Sequence, residues 1–193
     1  MKTVLWSGGL DSTILVAYLA QKVDVEPIYL DIKRTFTNPQ LRIVRELCPQ
    51  IQRIFSRVKD VTILRPWQWE FPKRPKIQSN RNLRMCDLMK ELGWTDIWLG
   101  IINHPEGFEF HMPIEDRDAR LLSELSGIRV NTWMSIDENI DKLKATRIGR
   151  KILGDEILDR TWSCQMTFKE PCRLCWSCIE REYVLKEVRK NDG

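Results

Sequence analysis

The chain has 193 residues, with 31 Lys and Arg against 27 Asp and Glu, and six cysteines. That length suits one domain, or one with an appendage, and is enough to bury about 70% of the extended-chain surface without disulfide staples. Eight Trp and six Phe exclude a mainly disordered chain, no apolar run approaches the roughly 20 residues that span a bilayer, and a net charge of +4 admits an anionic small ligand without demanding nucleic acid. The basic residues are spread rather than gathered in one stripe, with local excesses at 73–84 and 142–151. The start, Met1 to Trp6, runs straight into glycines with no signal-peptide pattern, so a cytoplasmic protein is expected.

Lys2 to Trp6 is a short apolar run that predicts a first strand, ending at Ser7-Gly8-Gly9. Leu10, Thr13, Ile14, Ala17 and Tyr18 then recur at helical spacing and predict an amphipathic helix to about Lys22. Val25 to Leu30 reads as a second strand, with Asp31 at its end. Pro39 fits the first turn of the next helix, where its missing N–H costs nothing. Leu41, Val44, Cys48, Ile51, Phe55 and Val58 mark that helix's apolar face, and Pro49 is expected to kink it. Val61 to Leu64 predicts a third strand.

The stretch Pro66 to Asn80 interleaves Trp67, Trp69 and Phe71 with prolines and basic residues and reads as a long irregular loop. Leu83 to Leu92 predicts a helix closed by Gly93, and Asp96 to Gly100 a strand. Glu115 to Ser126 predicts a helix ending at Gly127, followed by a strand from Ile128 to Trp133. Asp137 is placed to cap a helix from Glu138 to Ile148. A cysteine-rich segment fills Cys164 to Cys178, and a last helix runs from about Ile179 to Lys190. The alternation predicts an α/β fold, a doubly wound parallel sheet with helices on both faces. Residues 1–160 make that domain in this reading, and 161–193 a small cysteine segment and helix packed on it.

Ser7-Gly8-Gly9-Leu10-Asp11-Ser12 sits between a strand and a helix, where anion sites form. Glycines let backbone approach a phosphate without Cβ interference. The free N–H groups of the helix start then face the anion, with about half a positive charge from the helix dipole. Ser7 and Ser12 offer hydroxyl hydrogen bonds. Asp11 repels a phosphate unless a cation lies between them, so it points to magnesium or to a helix cap. A plain strand–turn–helix junction is the other reading of the same spacing. No Gly-Lys-Ser/Thr follows as in a Walker loop, and the three spaced glycines of the dinucleotide fingerprint are missing.

Cys172-x-x-Cys175-x-x-Cys178 gathers three thiolates, and Cys164 can supply a fourth. Four thiolates satisfy tetrahedral zinc and leave no open position, which marks a structural site. An iron–sulfur cluster or a redox-active Cys-x-x-Cys pair also fits the spacing. Cys48 and Cys86 fall on predicted helices and read as buried apolar fillers.

Ser-Gly-Gly-x-Asp-Ser after a first strand resembles the PP-loop of the ATP pyrophosphatase, or adenine nucleotide α-hydrolase, family. The resemblance implies a doubly wound parallel sheet that binds ATP with its pyrophosphate on the loop. It implies that Ser7, Gly8, Gly9, Leu10, Asp11 and Ser12 hold the ATP phosphates and their Mg2+, with Asp31 and Gly100 beside the nucleotide. With the cysteine cluster added, the chain resembles the 7-cyano-7-deazaguanine synthase (QueC) family. That likeness rests on Thr161-Trp162-Ser163-Cys164 before Cys172, Cys175 and Cys178, on Leu30-Asp31 with Val44-Arg45-Glu46-Leu47, on Arg81-Asn82, on Leu99-Gly100, and on Pro113 to Asp118. The stretch Asp31 to Phe36 lacks a glycine and a histidine of the family pattern. The substrate aspartate is displaced by one residue, leaving Glu115 or Asp116.

What the resemblance implies is conversion of 7-carboxy-7-deazaguanine, by adenylation and ammonia attack, to the amide and then the nitrile. Asp11, Arg81 and Asp116 take the catalytic roles in that reading. Asn82, Glu115, Asp116 and Arg117 face the substrate, and Cys164, Cys172, Cys175 and Cys178 hold Zn2+. Small molecules are then the partners, a homodimer is compatible, and direct binding of nucleic acid is not expected. Another PP-loop enzyme with a different acceptor, an amide-only synthase or a tRNA-modifying enzyme, is the alternative, and a non-catalytic zinc module a third. Each acceptor candidate also has a plain structural role. Trp67, Trp69 and Phe71 either stack on a planar base or close their loop into the core. Glu115 and Asp116 either accept from a guanine-like edge or favour a helix start. Arg81 either neutralises an anion or joins a surface ion pair. His104 and His111 either carry protons or hydrogen-bond within their loop.

Overall fold

A computed structural model of the chain describes residues 1–31, 39–65, 81–105, 118–164, 166 and 169–190. The predicted long loop at 66–80 lies outside these residues. In chain order the elements are β1 (Lys2–Leu5), α1 (Leu10–Ala20), β2 (Val25–Leu30), α2 (Pro39–Ile54), β3 (Thr62–Leu64), α3 (Arg81–Glu91), β4 (Asp96–Leu99), α4 (Ala119–Ser126), β5 (Arg129–Asn131), α5 (Lys142–Arg160) and α6 (Trp176–Lys190). The strands form one five-stranded sheet in the order β3-β2-β1-β4-β5, and every pairing is parallel. No helix among the described residues is long and apolar enough to cross a membrane.

Side chains alternate across a strand, and here both faces are covered. Val4, Trp6, Tyr29 and Trp98 pack with α1, α2, α5 and α6 in one buried cluster. Leu5, Ile28, Ile97, Leu99 and Val130 pack with Cys86 and Met89 of α3 and Leu122 of α4 in the other. Such two-sided burial explains why the strands read as short apolar runs rather than as an alternation of apolar and polar residues. The chain order reverses between β1 and β4, which lie side by side. In open parallel sheets that reversal leaves a crevice beyond the carboxyl ends of the strands, where ligands bind.

The cysteine segment is not separate from the sheet's core. Cys164, Cys178, Val184 and Leu185 belong to the same buried cluster as Val4 and Ile14.

Several boundaries differ from the sequence expectation. The helix expected from Glu138 starts at Lys142 and is capped by Asp141, whose side chain accepts from Lys144 N at 2.7 Å. Asp137 instead closes a local turn, accepting from Asn139 N at 2.9 Å. Helix α5 then runs on to Arg160, broken at Gly154, whose φ of 77° leaves the helical region. Helix α4 starts at Ala119, with Asp118 as its cap. Trp133, expected at the end of β5, opens a short 3-10 turn. Helix α2 carries Pro49 within it and continues to Ile54, and α6 starts at Trp176, so that Cys178 lies in its first turn.

Helix α5 lies directly on α1. A Cβ placed on Gly149 would meet Ile14 Cγ1 at 2.6 Å and Cδ1 at 2.7 Å. Ile14 is fully buried and β-branched, so it has little room to yield. Gly149→Ala therefore pushes α5 away from α1, and a loss of about 1–3 kcal/mol is expected in urea unfolding. An unchanged midpoint would show that the two helices separate easily.

Candidate functional site

The loop after β1 is held open by contacts from three directions. The Trp6 indole donates to Thr13 Oγ1 at 2.9 Å, the Trp133 indole donates to the Asp11 carbonyl at 3.1 Å, and the Trp162 backbone N–H donates to the Gly8 carbonyl at 2.8 Å. Gly8 has φ 73°, a left-handed conformation that a Cβ disfavours, and its position lies against Val44 and Gln40 of α2. Gly9 is the N-cap of α1 and brings no side-chain cap, so the helix start is left for an external acceptor. Ser7 Oγ and Ser12 Oγ meet at 3.0 Å across the turn. Leu10 is buried to 1% exposure and anchors the first turn. Gly100, after β4, admits the loop closely, since a Cβ there would stand 2.8 Å from Ser12 Cα. Ser7, Gly8, Gly9, Leu10, Asp11, Ser12 and Gly100 thus meet at the crevice between β1 and β4.

Asp11 leads to a buried ionic chain that the sequence reading did not identify. Its Oδ2 lies 3.1 Å from Lys142 Nζ. Lys142 Nζ also donates to Glu180 Oε2 at 2.7 Å, and these two side chains are only 6% and 3% exposed. The other Glu180 oxygen, Oε1, bonds His104 Nδ1. A parallel bridge between Asn103 and Asp141, with Lys142 N donating to the Asn103 carbonyl at 3.0 Å, sets His104 and Lys142 side by side.

Burial alone would lower the Lys142 pKa, but Asp11 and Glu180 outweigh it and hold the ammonium charged beyond the ordinary lysine value. Burial lifts the Asp11 carboxyl above its usual range against the pull of Lys142, and the nearby Glu180 adds to the lift. Glu180 is also pushed up by burial, yet His104 and Lys142 prevail and hold it below the usual carboxylate value. Asp11 Oδ1 is buried without a hydrogen-bond partner among the described residues. A carboxylate oxygen left bare at the mouth of a phosphate-type loop suits a cation brought in with an anionic ligand.

The sulfurs of Cys164, Cys172, Cys175 and Cys178 all lie within 4.8 Å of one another, so these four residues can hold a metal ion. Cys172 Sγ and Cys178 Sγ are 3.9 Å apart, close to the edge of about 3.8 Å that bonds of about 2.3 Å give a tetrahedron. Backbone N–H groups turn towards the sulfurs, Cys172 N to Cys164 Sγ at 3.4 Å and Cys175 N to Cys172 Sγ at 3.2 Å. Arg173 makes the turn between them in a left-handed conformation, φ 58°. Burial, with the crowding of the other sulfurs, pushes the Cys178 thiol up to about 12, and a bound cation is what ionises such a set together. Cys48 and Cys86 are buried on α2 and α3 as expected, and burial pushes Cys86 up to about 12, which disfavours a nucleophilic role.

The remaining sequence candidates divide. Asp31 ends β2, is 8% exposed, and pairs with Arg65 at 3.6 Å. Arg81 and Asn82 open α3, and Asn82 is half-buried. Glu115, Asp116, Arg117, His111, Trp67, Trp69 and Phe71 lie outside the described residues. Lys142 and Glu180 were missed, although a signal existed. Glu180 stands in register with Val184 and Val188, and Lys142 with Ala145, Thr146 and Gly149, so each charge interrupts a buried helical stripe. No protein-family model matches the chain, and no curated protein matches it.

Lys142→Met removes the buried cation that lies between Asp11 and Glu180, and a loss of about 3–5 kcal/mol is expected in chemical unfolding. The double variant K142M/E180Q is expected to recover part of that loss, because a neutral amide replaces the stranded charge. Additive effects would show that the pair is not coupled.

One variant and a metal exchange test the cysteine centre. Chains with one bound metal ion, lost in Cys175→Ser and released by a strong chelator, are expected from elemental analysis. Cobalt substitution is expected to give the intense visible absorption of tetrahedral thiolate coordination, and its absence would remove the four-sulfur assignment.

Proposed function

We propose that the protein is an ATP-dependent ligase of the QueC type, which activates the carboxylate of a 7-deazaguanine acid and replaces its oxygen with nitrogen from ammonia. The observation that carries this reading is the Ser7–Ser12 loop. A glycine turn with a left-handed Gly8, two facing hydroxyls and an uncapped helix start lies where the strand order reverses. The cysteine centre packed against that loop is its second support.

Ser7, Ser12 and the first N–H groups of α1 take the phosphates of ATP. Asp11 faces the Mg2+ that accompanies them, a cation that lowers the charge repulsion at the phosphates. Lys142 holds the Asp11 carboxylate in place. The four cysteines hold Zn2+, which supplies a fixed tetrahedral corner and no chemistry.

The reaction follows from leaving-group strength. A carboxylate oxygen attacks the α-phosphorus of ATP, and pyrophosphate leaves. Ammonia attacks the activated carbonyl carbon, AMP leaves with the oxygen, and a proton is lost, giving the amide. A second ATP activates the amide oxygen in the same way, and loss of AMP and a proton leaves the nitrile. The loop orients both oxygens for in-line attack and stabilises charge as it develops. No protein nucleophile is needed. Arg81, Asn82 and the segment 115–117 stand as the acceptor side of this reading.

The test is product analysis by mass spectrometry, with zinc-replete protein, 7-carboxy-7-deazaguanine, ATP, magnesium and ammonium. Amide or nitrile, with AMP and pyrophosphate in step, is expected, and Asp11→Ala is expected to lower the rate at least about 100-fold. ATP bound with no acceptor consumed would move the assignment to another adenylating enzyme. No ATP binding would remove the loop assignment.

A further inference from the structure

The cysteine centre and the glycine loop share their supports. Cys178 and Glu180 are two residues apart in the first turns of α6. Glu180 Oε2 takes Lys142 Nζ at 2.7 Å, and Lys142 reaches Asp11 Oδ2 at 3.1 Å. On the other flank, the Cys164 carbonyl accepts from the Trp162 indole at 2.9 Å. The backbone N–H of Trp162 donates to the Gly8 carbonyl at 2.8 Å, and a Cβ on Gly9 would stand 3.5 Å from the Trp162 carbonyl. Two different sulfur ligands therefore sit one or two contacts from the same loop and reach it from different sides.

We propose that metal occupancy of the four-cysteine site sets the affinity of the Ser7–Ser12 loop for nucleotide, with Glu180–Lys142 and Trp162 as the connecting elements. This deepens the ATP reading and rests on it. The metal fixes four Cβ positions at once, and with them the start of α6 and the backbone at 162–164. Without it, the sulfurs keep N–H bonds of 3.2 and 3.4 Å, which are weak constraints, beside the local bonds from Cys178 N and Ile179 N to the Cys175 carbonyl at 2.9 and 3.0 Å. A shift of α6 by about 1 Å is enough to break the Glu180–Lys142 bond.

Lys142, being buried, then has Asp11 as its remaining carboxylate and clamps it. An Asp11 clamped by a whole positive charge is a poor partner for the cation that comes with nucleotide. With Glu180 in place, Lys142 is shared, and Asp11 keeps Oδ1 for that cation. On the other flank, a released 162–164 segment withdraws the backbone bond that holds the Gly8 carbonyl away from the ligand. Linkage makes the effect mutual: nucleotide must tighten the metal by the factor with which metal tightens nucleotide.

The experiment uses the full chain under reducing conditions. Calorimetry gives the dissociation constant of magnesium and a non-hydrolysable ATP analogue on zinc-bound protein and on protein stripped by chelator, with circular dichroism confirming that the stripped chain is folded. Chelator competition gives the zinc affinity with and without saturating analogue. Stripping is expected to weaken the analogue at least about tenfold, and the analogue is expected to tighten zinc by the same factor. Glu180→Gln, which keeps all four thiols, is expected to retain one zinc per chain yet bind the analogue more weakly. In that variant the effect of zinc on nucleotide falls to the part carried through Trp162. The analogue affinity of zinc-bound E180Q needs no folded metal-free form, and its coupling is read from chelator competition with and without analogue.

Equal analogue affinity in folded stripped and zinc-bound protein overturns the coupling and leaves the ATP reading standing. Full coupling retained in E180Q overturns the path through Glu180 and Lys142. No analogue binding by zinc-bound wild-type protein overturns both readings together.

Discussion

One ammonium ion organises this molecule. Lys142 is nearly sealed from solvent, and an unpaired charge in that position would be costly by several kcal/mol. It is tolerated because Asp11 and Glu180 approach it from two other helices. The condition is strict: α1, α5 and α6 must all be in register before the charge is satisfied. Gly149 lets α5 seat on Ile14 of α1, and the bridge at Asn103 and Asp141 fixes the start of α5 against the end of the β4 strand. The chain from His104 through Glu180 and Lys142 to Asp11 thus ties the sheet's central crevice to the C-terminal helix.

Around that charge, the loop is built from small residues where neighbouring backbone approaches closely and from large ones that brace it. Gly8 lets the turn close against Val44 and Gln40 of α2, Gly9 against the Trp162 carbonyl, and Gly100 lets Ser12 approach the end of the sheet. The Trp6 and Trp133 indoles donate to Thr13 Oγ1 and the Asp11 carbonyl, and Trp162 holds the Gly8 carbonyl through its backbone N–H. An indole brings a donor on a rigid apolar frame, so it can satisfy a buried acceptor and fill space together.

Much of the sheet was legible because two-sided burial writes itself as short apolar runs. Val25 to Leu30 and Asp96 to Leu99 are such runs, and both are strands where expected. Cys164 to Cys178 was legible because ligand spacing is local. Helix starts were less so. Asp137 and Asp141 are both good caps in sequence, and the choice falls on Asp141 because its neighbours bond Asn103, far away in the chain. For the same reason Lys142 was read as part of a diffuse basic stretch. What makes it special is a partner on another helix, and single-residue spacing carries no record of that partner. Glu180 is similar. Its place in an apolar stripe announces burial, while the identity of its counter-charge is a property of the packed fold.

The bond from Trp162 to Gly8 joins residues far apart in the chain. A ribosome releases Gly8 early and Trp162 late. The nascent sheet can therefore collapse with its glycine turn unfinished until the segment that carries Trp162 has emerged. Maturation of the turn then waits for a residue made long after it. A truncated product would be expected to retain sheet structure while lacking the finished turn.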